Sequence, residues 1–134
     1  MNKTEMKRKT IPQLKKIAWD LLSKIVRLTY SDGNTCTCYT CGKLMFWKEA
    51  QAGHAIPGRT GAVLLMEEII RPQCCGCNIF GRGQHHIFTT KLIDENGMDW
   101  WKRKLVESKK IRKWDRVELE ETIEKFKQRL KELP

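Results

Sequence analysis

Residues 38–59 read CYTCGKLMFWKEAQAGHAIPGR, and residues 71–83 read RPQCCGCNIFGRG. Each stretch carries two cysteines in C-x2-C spacing, Cys38/Cys41 and Cys74/Cys77, with 32 residues between the pairs. A C-x2-C pair lets two thiolates reach one ion from a tight turn, and two pairs complete the tetrahedral four-thiolate site that usually holds zinc. Cys36 and Cys75 are left over. The runs TCTC and CC permit a shifted register, but the regular spacing favours Cys38, Cys41, Cys74 and Cys77. Four thiolates saturate a zinc ion, so such a site is a structural staple and any chemistry must sit elsewhere.

His54 lies inside the loop that this cross-link would close, and Asn78 directly follows the last ligand. A lone histidine is most often structural, but here His54 and Asn78 are both tied to the same cross-link, Asn78 closely and His54 more loosely, which suggests more. A neutral imidazole can take a proton from water near neutral pH, and an amide oxygen can ligate a hard cation such as Mg2+. Together they make a phosphodiester-hydrolysing site, with His54 activating water and a cation held partly by Asn78 neutralising charge at the phosphate.

The charge balance fits a polyanionic substrate. Lys and Arg total 26 against 16 Asp and Glu in 134 residues, a formal net charge of +10. Neutralised phosphates release condensed counterions, so nucleic acid is the natural partner. A membrane is excluded as a span, since no apolar stretch approaches the ~20 residues required. The start, MNKTEMKRKTIPQ, is not of the signal-peptide kind. A cytoplasmic location is expected, and in that reducing setting six cysteines point to metal before disulfides.

The chain reads as a single domain. Residues 1–9 form a basic tail. Leu14, Ile17, Ala18, Leu21, Ile25 and Leu28 recur at helical spacing and predict a helix over 10–30, ended by the turn signal SDGN at 31–34. Residues 35–97 form the expected zinc-stapled core: 35–83 hold the cysteines and predict turns and short strands, and a helix follows over about Gln84–Asp94, stopping at ENG. Residues 98–134 begin with a basic segment, where Asp99 is expected to cap a short helix. They end in a strongly signalled helix with an Asp115/Glu118 capping pair, a Trp114–Leu119 staple and the stripe Leu119, Ile123, Phe126, Leu130 and Leu133. That stripe is expected to pack on the first helix, with a homodimer as the other use of it.

The order C-x2-C, His, C-x2-C-Asn resembles the HNH or ββα-metal nucleases, phage endonuclease VII among them. The set CYTCG, QAGH, PQCCGCN, KLIDENG and the basic KKIRKWDRVELEETIEKFKQRLKEL is more closely similar to the phage NinG (Rap) recombination family. That resemblance implies an α+β, mostly helical fold with a small zinc-stapled ββα-metal (HNH-like) centre flanked by N- and C-terminal helices. It implies structural Zn2+ on Cys38, Cys41, Cys74 and Cys77, His54 as general base, and Asn78 as a ligand of catalytic Mg2+ or Mn2+. The implied activity is cutting of branched DNA, such as Holliday junctions or D-loops, in a bacterial host's cytoplasm. Two departures stand out: Gly53 occupies the place of an acidic metal ligand, and Ile69 and Arg71 stand where relatives often read N-x-H. Glu67, Glu68 and His85 are the candidates to make up the deficit.

Arg59, Arg71 and Arg82 are expected to grip phosphates near the scissile bond, with forked donors suited to the task. Lys102, Arg103, Lys104, Lys109, Lys110, Arg112 and Lys113, in the tryptophan-flanked run WWKRKLVESKKIRKW, form a second expected DNA surface. The competing expectation is a non-catalytic zinc-containing nucleic-acid-binding module.

Overall fold

The computed structural model describes residues 1–58 and 61–133. Its longest element is a helix, Ile11–Thr29, preceded by a short one, Lys3–Lys7. We call these α2 and α1. Thr10 caps α2 in a reciprocal box: its hydroxyl accepts from the Gln13 amide at 3.3 Å, and the Gln13 side chain accepts from the Thr10 amide at 2.8 Å. Pro12 sits in the first turn, where its missing N–H has no partner to lose. The expected stripe turns partway along α2. Leu14 and Ala18 are buried as expected, but Leu22 and Val26 join Ile25 inside, whereas Leu21 and Leu28 are only half-buried.

That turn gives α2 two jobs. Its first half packs with Met6 of α1 and with Leu119 and Ile123 of the final helix, α6 (Arg116–Glu132). The first part of the α6 stripe, Leu119, Ile123 and, partly buried, Phe126, is thus packed against α2 within the chain. The second half, Leu22 and Val26, packs on a different core containing Ala52, Ile70, Phe88, Leu92 and Trp101. The basic tail of 1–9 is a correction: Lys3–Lys7 is helical, and Met6 is buried against α2 and α6. Its docking is reinforced where Lys127 donates to the Met1 carbonyl at 2.8 Å and Arg116 to the Lys9 carbonyl.

Two small antiparallel sheets carry the middle of the chain. Strands β1 (Thr35–Thr37) and β2 (Leu44–Phe46) form one; β3 (Gln51–His54) and β4 (Ile70–Gln73) form the other. The segment between β3 and β4 holds a helical turn, α3 (Gly61–Leu64), and a 3-10 turn, Glu67–Ile69. A π-helical turn, Gly76–Phe80, then leads from β4 into α4 (His85–Asn96). Gly97, at φ 92°, ends α4 as the ENG signal predicts. The following helix, α5 (Met98–Ser108), is longer than expected, and Asp99 lies in its first turn rather than at its cap. Asp115 caps α6 by accepting from the Glu118 amide at 2.8 Å. The fold is therefore α+β and mostly helical, and among the described residues no helix is long and apolar enough to cross a membrane.

Because Ile123 is fully buried between α2 and α6 while Ile111 is 91% exposed, the two respond differently to truncation. Ile123→Ala is expected to lower the unfolding free energy by about 2–5 kcal/mol in urea melts. Ile111→Ala should stay within about 0.5 kcal/mol; equal effects would contradict the α2–α6 packing.

Candidate metal centre and the hairpin it holds

Cys38 and Cys41 sit in the turn between β1 and β2. There the Cys38 amide donates to Lys43 O at 2.8 Å and Gly42 N–H returns to Cys38 O at 2.9 Å. Gly42 takes φ 81°, a left-handed conformation that other residues seldom adopt, so the turn is tight enough to aim both thiols the same way. Cys74 and Cys77 sit where β4 passes into the π-helical turn. The Cys77 amide points at Cys74 Sγ at 3.4 Å, and the Asn78 amide donates to Cys74 O at 2.9 Å. The ligand atoms of these four residues all lie within 4.8 Å of one another. Cys36 is buried outside the cluster, and Cys75 is exposed, so the regular x2 register is the one the fold selects.

The donor set fits zinc. Burial, with hydrogen bonds among the neighbouring thiols, pushes the Cys77 thiol up to about 12. Burial acts the same way at Cys38, but hydrogen bonds from the Thr40 hydroxyl and nearby backbone amides outweigh it and bring that thiol down to about 6. Protein groups alone thus favour only some thiolates. A coordinated cation deprotonates the others outright, as a four-thiolate zinc site requires. Among the described residues, the apolar side chains packed around the cluster are Cys36, Met45, Ala50 and, partly buried, Trp47. So small an apolar lobe has little else to hold it.

A metal held by the four thiols would tie the end of β4 to the β1–β2 turn, and β4 pairs with β3. Register sets Gln51 opposite Gln73, Gly53 opposite Arg71 and His54 opposite Ile70. Side chains alternate along a strand, so His54 faces the α2 side while Gly53 and Gln73 share the other face. His54 stacks on Trp19 of α2, ring centroids 4.7 Å apart at 25°. Its Nε2 lies 3.0 Å from the Leu64 carbonyl oxygen. A carbonyl can only accept, so Nε2 carries the hydrogen and Nδ1 is the basic nitrogen of the neutral ring.

Asn78 comes to the same strand from the opposite side. Its Nδ2 donates to Gln51 Oε1 at 2.8 Å, and its Oδ1 is 3.1 Å from where a Cβ on Gly53 would stand. His85, the first residue of α4, places Nδ1 2.8 Å from the Ala55 carbonyl oxygen, leaving Nε2 as the unprotonated nitrogen. Metal-binding histidines are commonly oriented by such a bond. The consecutive residues Gly53, His54 and Ala55 therefore meet Asn78, Trp19 with Leu64, and His85 in turn.

The other expected site residues distribute unevenly. The Glu67 carboxylate takes two bonds from Arg129, at 2.6 and 2.8 Å, and Glu68 pairs with Lys104 at 3.3 Å. Both are corrections: these carboxylates face α6 and α5, and line a hollow with Tyr30, Leu65, Arg71, Asn96 and Trp100, rather than joining Asn78 and His85. Arg71 is a correction too. It is buried, its guanidinium 5.1 Å over the Tyr30 ring and 5.5 Å over Tyr39, donating to the Glu68 and Ile70 carbonyls, so it braces the fold instead of meeting solvent phosphates. Arg82 is exposed at φ 54° beside the π-helical turn. Arg59 lies outside the described residues.

Along α5 and the segment after it, Lys102, Arg103, Lys109, Lys110 and Lys113 are exposed. Lys104 is 12% exposed and held by Glu68 and Glu107, and Arg112 lies 3.9 Å over the Trp114 ring while paired with Glu118. The exposed basic surface is thus narrower than the sequence suggests.

Sequence reasoning missed Gln73. It is fully buried, its Nε2 donates to Thr40 Oγ1 at 3.1 Å and to Gly83 O at 2.9 Å, and its Oε1 has no hydrogen-bond partner. The available signal was a long polar residue on a strand diagonal to a glycine, a spacing at which side chains reach across a sheet.

A mostly helical α+β protein stapled by a four-cysteine cluster is the class these features define. Within it, the model of the Bacteriophage Lambda NinG protein family matches residues 1–134, and the chain belongs to that family. No curated protein and no solved structure matches it.

Cys77→Ser is expected to abolish stoichiometric zinc and lower the melting temperature, whereas Cys75→Ser keeps both. Zinc quantified by atomic emission, with melts followed by circular dichroism, checks this. A zinc-replete Cys77→Ser protein with wild-type melting would refute the ligand set.

Proposed function

We propose that this chain is a metal-dependent DNA endonuclease of the HNH-like ββα-metal type. It would cut branched recombination intermediates, such as Holliday junctions or D-loops, in the cytoplasm of a phage's bacterial host. One observation carries the reading: His54 is the last residue of β3 with its ring on the Trp19 side, and Asn78 and His85 meet the adjoining Gly53 and Ala55 from the segment that follows β4. Base and cation ligands would thus act together across the end of that strand. The succession β3, β4, α4 supplies the ββα order. Family membership and the net charge of +10 support nucleic acid as the substrate.

In this mechanism His54 takes the proton of the attacking water at Nδ1. The Leu64 carbonyl fixes the tautomer, and the stack on Trp19 fixes the ring plane, so little reorganisation is needed. Asn78 Oδ1 and His85 Nε2 would hold Mg2+ or Mn2+; the amide oxygen suits either hard ion, and the imidazole favours Mn2+ of the two. A divalent cation bound there neutralises charge on the phosphate and the leaving oxygen. Asn78 is oriented by Gln51 and by the zinc staple one residue away; His85 is oriented by Ala55. The exposed lysines and arginines of α5, with Arg82, would hold flanking phosphates and position the duplex without reading bases.

With Mg2+ or Mn2+, purified protein should nick a synthetic four-way junction. His54→Ala should slow cutting by at least about 100-fold while junction affinity in gel shifts stays the same. Undiminished cutting would remove His54 as the base. Salt-sensitive binding without cutting under any divalent metal would favour the non-catalytic binding module.

A further inference from the structure

Gln73 occupies a position that its own hydrogen bonds leave unbalanced. Both hydrogens of its side-chain amide are used, on Thr40 Oγ1 and on the Gly83 carbonyl. Turning the amide over would set Oε1 against the Gly83 oxygen, so its orientation follows from its partners. Oε1 then has no donor although the residue is fully buried. An amide oxygen withdrawn from water without a partner is costly, and a folded chain rarely keeps one without use.

The direction of that oxygen is informative. It lies 1.8 Å from where a Cβ on Gly53 would be, and that same point is 3.1 Å from Asn78 Oδ1. Gln73 Oε1 and Asn78 Oδ1 therefore share the space over Gly53, which is open to them only because residue 53 has no side chain. The Asn78 Nδ2 is committed to Gln51, so the oxygen is the part of Asn78 turned this way. Two acceptor oxygens that border one space make it favourable for positive charge. Close by, the Gly83 that receives the Gln73 amide also abuts His85, whose Nε2 is 2.7 Å from a Cβ position on that glycine.

We infer that Gln73 Oε1 is a ligand of a divalent cation shared with Asn78 Oδ1, a neutral amide doing what a carboxylate would otherwise do. This rests on the reading of Asn78 as a cation ligand given above. Amide oxygens are hard donors and select Mg2+ or Mn2+ over a thiophilic ion. A site of amides and imidazole brings no negative charge of its own, so free cation binds weakly and a nearby phosphate raises its affinity. Linkage makes the converse equally true: the cation tightens binding of the phosphate.

The test uses zinc-loaded, 13C-labelled wild-type protein titrated with MgCl2 at constant ionic strength, read by NMR at side-chain carbonyl carbons. Gln73 Cδ and Asn78 Cγ are expected to shift along one shared binding curve. Gln73→Met, with zinc content and melting retained, should weaken the Mg2+ response of Asn78 at least about tenfold. If that variant does not fold, the wild-type titration decides alone. A response at Asn78 without one at Gln73 overturns the Gln73 assignment and leaves the proposed function standing. No response at either carbon overturns both, and means that turned-over Asn78 and Gln51 amides satisfy Gln73 instead.

Discussion

Four sulfur atoms within 4.8 Å of one another set the terms for this fold. Ionised thiols at that range repel, and protonated ones contribute only weak S–H bonds; a zinc ion turns the same crowding into the tightest contact in the molecule. The lobe around the cluster has few apolar side chains among the described residues, so a metal held there would do what a hydrophobic core does elsewhere. The staple also has a geometric effect. It joins the β1–β2 turn to the end of β4 across a long stretch of sequence, and so fixes the hairpin from which His54 projects.

The second constraint is α2, which serves both apolar cores at once. One half is covered by α1 and α6, and the other lies under the β3–β4 hairpin. Arg27 extends its reach to the zinc lobe, donating to the Ala50 carbonyl at 3.5 Å and lying over the Trp47 ring. Trp19, near the middle of the helix, holds the His54 ring from that side. The opposite side of the hairpin is closed by Gln73 and Asn78 around Gly53. A side chain at residue 53 would displace the Gln73 amide from its place, so glycine there is favoured by close approach rather than by backbone angle.

Much of this could be read from the sequence because its signals are local. Capping residues, ENG, SDGN and the C-x2-C spacing each declare a turn or terminus from a few neighbouring side chains, and the structure places those boundaries within a residue or two. That Cys38, Cys41, Cys74 and Cys77 are the four that cluster followed from spacing alone. What escaped was set by tertiary contact. The docking of Met6 depends on α6, more than a hundred residues away. The burial of Arg71 depends on Tyr30 and Tyr39 flanking it, and the pairing of Glu67 depends on Arg129. The candidate site divides in the same way. His54 and Asn78 stood out as candidates through their spacing from cysteines, whereas Gln73 is noticed only through the register that sets it diagonal to Gly53.

The staple can be examined at the metal itself, by X-ray absorption at the zinc edge on protein purified without added chelator. Four sulfur scatterers at about 2.3 Å, with no nitrogen in the first coordination sphere, are the expected result. A mixed sphere containing a histidine nitrogen at about 2.0 Å, or fewer than four sulfurs, would mean that another residue completes the site. The hairpin would then not be held as described.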